Sequence, residues 1–160
     1  MSGASSWSFR EEDAKRIQVI LSGFLGESNA RTALIVDRTG QMVATVGEAP
    51  AFDPTAFASL TAADFSANDQ LARMLGESEF GALFHQGERE SMLVSDIARR
   101  AILVILFDAR TTLGLVRLRV RPAAEELTHI VDAMSARDAQ AGASRPILAG
   151  ADDEIDRLFR

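Results

Sequence analysis

The run Ala101-Ile102-Leu103-Val104-Ile105-Leu106-Phe107 decides the fold. It is continuously apolar, rich in β-branched residues, and bounded by the turn-length Ala98-Arg99-Arg100 and by Asp108. Such a short run reads as a strand buried on both faces. It is far shorter than the roughly 20 residues a membrane-spanning helix needs. As the most apolar segment of the chain it predicts the central strand of a sheet. Two further strands precede it, Ser91 to Ile97 and Phe80 to His85. They are joined through Ala98-Arg99-Arg100 and Gln86-Gly87-Glu88, connections of hairpin length.

Downstream, Leu115-Val116-Arg117-Leu118-Arg119-Val120-Arg121-Pro122 alternates like a half-buried strand. A longer window decides otherwise. Leu113, Val116, Val120, Ala124, Leu127, Ile130, Val131 and Met134 fall within about 120° on one helical wheel, and that register continues across Pro122. One long helix is expected, kinked near Pro122, where an interior proline costs about 3 kcal/mol.

Upstream, Asp53-Pro54 supplies an N-cap followed by proline at the first helical position, and Gly76 is a stop. On the wheel of that middle helix Phe57, Leu60, Leu71 and Leu75 share the side expected to face the core. The opposite side carries Ala62, Ala63, Ser66, Asp69, Gln70 and Arg73. Asp64 and Asn68 fall inside the apolar arc. A buried unpaired polar group there would cost a few kcal/mol, so they are either solvated at an edge or paired across a dimer axis. Thr32 to Asp37 and Gln41 to Val46 flank the turn Arg38-Thr39-Gly40 and read as a hairpin. Before them, Ser8-Phe9-Arg10-Glu11 has capping-box spacing. Ala14, Ile17, Ile20, Leu21, Phe24 and Leu25 then form a helix face, with Gly26 expected to end it.

Composition restricts the chemistry. The 160 residues suit one domain, and with no cysteine there is no disulfide, zinc–thiolate site or thiol nucleophile. Only His85 and His129 could offer imidazole, from separate segments, so no metal site and no cofactor is expected. A net charge of -6, from 17 Lys+Arg against 23 Asp+Glu, argues against general nucleic-acid binding. No apolar stretch is long enough for membrane insertion, and no leader is evident, so a cytoplasmic protein is expected. The chain has no Walker motif, no G-x-G-x-x-G and no G-x-S-x-G elbow. His85, at a strand end, reads as a hydrogen-bonded structural residue before a catalytic one. Arg99, Arg100, Arg110, Arg117, Arg119 and Arg121 form a basic stretch opposed only by Asp108. It could bind phosphate, meet an acidic partner or act as an arginine finger. The plainer reading is a solvated face balanced by Glu125 and Glu126.

The order helix, two strands, helix, three strands, helix is an α+β domain with a five-stranded antiparallel sheet. That order resembles the Roadblock family, of the dynein light chain type. The likeness is carried by Leu71-Ala72-Arg73-Met74-Leu75-Gly76-Glu77-Ser78-Glu79-Phe80, Phe84-His85-Gln86-Gly87, and above all Leu103 to Asp108 running into Thr112-Leu113-Gly114-Leu115-Val116-Arg117-Leu118. Within the family the chain is similar to the bacterial MglB-like branch. The resemblance implies a homodimer joined through edge strands and middle helices, which places Asp64, Asn68, Phe80 and Phe84 at the dimer contact. It implies a small Ras-like GTPase (MglA-like) as partner, bound on Ala62, Ala63, Ser66, Gln70 and Arg73. In that branch the dimer speeds GTP hydrolysis in cell-polarity or motility control by repositioning the GTPase's switch regions, without an arginine finger, and a C-terminal helix assists exchange. The protein would then be a regulator with no catalytic residues of its own. The alternative is a dimeric scaffold that binds without changing turnover.

The expected organisation is a disordered N-terminus over residues 1–8, the Roadblock domain over 9–137, a flexible linker over 138–151 and a short helix over 152–160. In that helix Ile155, Leu158 and Phe159 share one face, with acids at its start and arginine at its end. Nine residues are too few for a stable isolated helix. The stripe therefore docks either on a partner or back on its own domain.

Overall fold

The computed structural model describes residues 10–143. The elements follow the expected order: α1 (Glu11–Ser28), β1 (Thr32–Asp37), β2 (Met42–Gly47), α2 (Pro54–Met74), β3 (Ala82–Gln86), β4 (Ser91–Ile97), β5 (Ala101–Phe107) and α3 (Leu113–Ala143). The strands make one antiparallel sheet in the order β2-β1-β5-β4-β3, with the apolar β5 at its centre. Ile35 pairs with Leu103 on one side of β5, and Leu93 with Ile105 on the other.

The period-2 alternation of the strands divides the core in two. Ala33, Ile35, Leu93, Ile97, Leu103, Ile105 and Phe107 point to the face covered by α1 and α3, where Ile17, Leu21, Phe24, Val116, Leu127, Ile130 and Met134 meet them. Leu34, Val36, Val94, Ile102 and Val104 point the other way, to Ala58 and Phe65 of α2. Two helices thus cover one face and a single helix the other.

Local chemistry sets the connections. Ala98 and Arg99 have φ of 53° and 58°, and the Arg100 amide donates to the Ile97 carbonyl at 3.0 Å. That backbone twist matches a two-stranded ribbon, as tight hairpins require. The Asp37 carboxylate is buried and accepts from the Thr39 amide, the Thr39 hydroxyl and the Gln41 amide at 3.0, 2.7 and 2.9 Å. It thereby fixes the β1–β2 turn beneath α2. Asp53 caps α2, its carboxylate accepting from the Thr55 amide at 3.1 Å.

Several expectations change. α1 runs through Gly26 and stops at Asn29, whose left-handed φ of 57° lets its amide donate to the Leu25 carbonyl. Asn29 Nδ2 also donates to the Arg110 carbonyl at 2.8 Å, and Thr111 Oγ1 to the Ser28 carbonyl at 2.6 Å. The stop is therefore set by a tertiary anchor and not by the nearest glycine. β3 starts at Ala82, so Phe80 precedes the strand. α3 runs unbroken through Pro122, as the wheel register requires. It continues to Ala143, so residues 138–143, expected as linker, are helical. The capping-box Ser8, the N-terminal stretch 1–8 and the docking residues Ile155, Leu158 and Phe159 lie outside the described residues. No helix among the described residues is long and apolar enough to cross a membrane.

Candidate protein-binding surface

α2 has to cover its face of the sheet alone, and the side it turns inward is not the one its leucines suggested. Ala58, Thr61, Phe65, Asn68 and Ala72, spaced by three and four, are buried. Small residues at both ends of this stripe let the helix lie close to β1, β4 and β5, with Phe65 as its one large buried side chain. Of the expected inward set only Phe57 packs against the core, stacked on Phe52 at 4.3 Å. Leu60, Leu71, Met74 and Leu75 are 71%, 56%, 82% and 73% exposed. At helical spacing these residues share one outward side, interrupted between Leu60 and Leu71. A helical wheel groups these leucines but does not say which side of the helix meets the sheet.

Asp64 sits beside this row, where its Oδ2 meets His85 Nε2 of β3 at 2.8 Å. His85 is thus hydrogen-bonded within the chain, in line with its structural reading, and Asp64 finds its partner there. Asn68 is buried, and its Nδ2 has no hydrogen-bond acceptor. Phe80 is half-buried ahead of β3. Phe84 belongs to the opposite face of the sheet, stacked on Phe107 at 6.2 Å among the residues under α1 and α3.

The other flank of α2 is polar. Ala62, Ser66 and Arg73 line a groove of about 310 Å³ with Arg38, Asp69, Ser78, Glu79 and Arg99. Ala63 and Gln70 are exposed but do not line it. The floor is organised by Arg38, which rises from the β1–β2 turn. Its guanidinium lies 4.7 Å over the Phe65 ring, donates to Asp69 at 2.7 Å and also bonds Asp96. Burial works against its charge, but the hydrogen bonds to Asp69 and Asp96 outweigh it and hold the pKa above the ordinary arginine value. Asp96 also accepts from the Arg99 amide at 2.9 Å. α2 and β4, distant from it in sequence, therefore converge on one arginine, and no spacing in the chain could announce that.

The basic stretch does not act as a unit. Arg99 pairs with Glu79 at 3.5 Å, Arg119 with Glu27 at 3.8 Å, and Arg110 with Asp108 and Glu48 at 3.0 Å each. Hydrogen bonds from Arg31 and Arg110 hold Glu48 below its usual carboxylate range, and Arg110 does the same for Asp108. No group of three or more His, Asp or Glu converges as a metal site among the described residues. A groove of about 580 Å³ lies between α3 and β3–β4, with an apolar floor over Ala82, Leu93, Val120 and Ala124. Arg117, Arg121, Glu125, Thr128, His129 and Asp132 of α3 line it as well.

The Roadblock/LC7 domain model matches residues 16–107. Myxococcus xanthus MglB is 37% identical, with a TM-score of 0.74, over 79% of this chain and 96% of that one. The gliding protein MglB of Thermus thermophilus is 34% identical, with a TM-score of 0.74 and the same coverage. An MglB described with a tetrameric arrangement is 34% identical, with a TM-score of 0.75, over 81% and 97% of the two chains. Acanthamoeba castellanii profilin IA, at 18% identity and a TM-score of 0.51, shares the fold alone. No curated protein matches. With more than half its length under the domain model and relatives matched nearly end to end, this chain belongs to the Roadblock/LC7 family and is MglB-like.

Proposed function

We propose that the protein is a cytoplasmic homodimeric regulator of a small Ras-like GTPase of the MglA type, serving cell polarity or motility. It raises GTP hydrolysis by repositioning the GTPase's own switch residues, and its C-terminal segment assists exchange. The observation that carries this reading is the double exposure of α2. Its leucine row, Leu60, Leu71 and Leu75, offers a second copy an apolar seam, with Asp64 beside it and Phe80 near the β3 edge, while Asn68, expected at the same contact, is buried in the inward stripe of its own helix. Phe84, expected at the same contact, packs into its own core instead. The polar flank then remains open for the GTPase, with small Ala62, Ala63 and Ser66 permitting close approach and Gln70 and Arg73 giving polar contacts.

Activation without an arginine finger is supported by the groove's own electrostatics. Arg38, which organises the groove floor, is held by Asp69 and Asp96. A finger must reach the transferring phosphoryl group, and its loss costs roughly 10³-fold or more in kcat.

The test is phosphate release from the GTP-loaded GTPase with and without this protein. Ser66→Arg fills the small-residue face and should abolish stimulation. Arg73→Ala should weaken binding about tenfold and leave the saturated rate within threefold. A thousandfold fall in the saturated rate would make Arg73 a finger, and binding with flat kinetics would make the protein a scaffold. Leu71→Glu should yield monomers in light scattering.

A further inference from the structure

We infer that the C-terminal segment Asp152–Phe159 docks as a helix on its own domain, in the groove between α1 and α3. Two adjoining depressions form that groove and share Val19, Ile20 and Glu126. One, of about 420 Å³, is flanked by Lys15, Arg16 and His129. The other, of about 260 Å³, continues over Gly23 and Pro122 to Glu27. Val19, at its centre, is 72% exposed. A Cβ built on Gly23 or on Gly26 meets no atom within 4 Å, so the floor stays low enough for another helix to lie close.

The order of chemistry along the groove identifies the occupant. α1 runs antiparallel to α3, since Asp13 pairs with Arg137 at one end and Glu27 with Arg119 at the other. From the α3 C-terminus inward the groove reads basic at Lys15 and Arg16, apolar at Val19, Ile20 and Gly23, then acidic at Glu126 and Glu27, the last paired with Arg119. A chain leaving Ala143 and doubling back presents Asp152-Asp153-Glu154 first, then Ile155, Leu158 and Phe159 on one face, with Arg157 and Arg160 at the far end. Each class meets its complement in the same order. The existing pairs Lys15–Glu11, at 2.9 Å, and Arg119–Glu27 are exposed and contribute little, so they yield readily to a second partner.

Length permits it. From Ala143 back to the level of His129 is about 21 Å along the helix. The intervening residues 144–151 span up to about 28 Å when extended. Burying the Ile155, Leu158 and Phe159 stripe against Val19 and Ile20 supplies the tertiary contact that a nine-residue helix lacks. Docked there, the segment is withheld from any other partner, and a ligand that captures it must first overcome the intramolecular contact.

The absence of cysteine makes the test clean. A nitroxide on Arg160→Cys in the full-length chain should broaden the amide signals of Val19, Gly23 and Gly26 by more than half. Val19→Asp, at an exposed position that leaves the core intact, should restore them, and so should Leu158→Asp within the tail. Uniform broadening, or broadening centred on Ala82 and Leu93 in the other groove, would overturn the proposal. Broadening that persists in mixed dimers of labelled tails with isotope-enriched, unlabelled partners, and only there, would assign the groove to a second copy and overturn docking in cis. The measurement needs no GTPase, so it stands apart from the regulatory reading.

Discussion

Replacing Arg38 by methionine should cost about 3 kcal/mol of folding stability, because the side chain ties α2 to the sheet through contacts of different kinds. Its carboxylate partners Asp69 and Asp96 are only 24% and 16% exposed in their side chains. Stripping the cation from a fully buried pair costs roughly 3 to 5 kcal/mol, and from an exposed pair less than about 1. These half-buried carboxylates fall between, near 2. Loss of the guanidinium from the Phe65 ring, 4.7 Å away, adds about 1 more. Methionine keeps most of the volume, so the cavity contribution is small. Urea unfolding at pH 7 and fixed protein concentration is the assay, since a dimer's stability depends on concentration. The midpoint should fall with an unchanged slope, and the thermal midpoint by roughly 6 to 12 °C. A cycle with Asp69→Asn should show about 1 to 2 kcal/mol of coupling. A loss below about 1 kcal/mol, or full additivity with Asp69→Asn, would refute the view that Arg38 anchors α2.

Other perturbations probe other parts of the molecule. Glu48 and Asp108 have folded pKa values held down by Arg31 and Arg110, so the unfolded chain takes up protons first as pH falls. Their stabilisation is therefore complete at neutral pH and is lost below the unfolded carboxylate range, about 4. Arg110→Ala should flatten the stability–pH profile on that acid limb, as read by thermal melts from pH 7 to 3. Gly47→Ala should destabilise by about 2 to 3 kcal/mol in urea, since φ is +102° and the added Cβ would collide with the Arg31 carbonyl oxygen. Pro122→Ala should raise the thermal midpoint by a few degrees. It restores a donor for the Leu118 carbonyl at an exposed residue, so the gain is about 1 kcal/mol and not the full interior cost.

Much of this architecture is written in short-range pattern. The unbroken apolar run at Ala101–Phe107 marks the central strand because only a strand covered on both faces tolerates it. The continuous wheel register across Pro122 distinguishes one helix from a strand and a helix, since an unrelated helix would restart the register. Asp53-Pro54 caps α2 through a local hydrogen bond that needs no tertiary partner. Of the surface residues, Ala62, Ser66 and Arg73 lie together on the groove as their spacing required, because helical geometry fixes which positions share a face.

What the amino-acid sequence determined by itself is therefore the kind, order and approximate limits of the elements, through periodicity, caps and turn chemistry that act over a few residues. The tertiary structure decided which way each face looks. The wheel groups Leu60, Leu71 and Leu75 together but cannot say that Ala58, Phe65 and Ala72 fit the sheet more closely and leave the leucines outside. α1 passes Gly26 and ends at Asn29 because Arg110 and Thr111, distant in sequence, meet it there. Arg38 becomes the anchor of α2 only when Asp69 and Asp96 are brought to it. Local propensity acts within a turn or two of chain, whereas burial and charge pairing are settled between segments that touch only after folding.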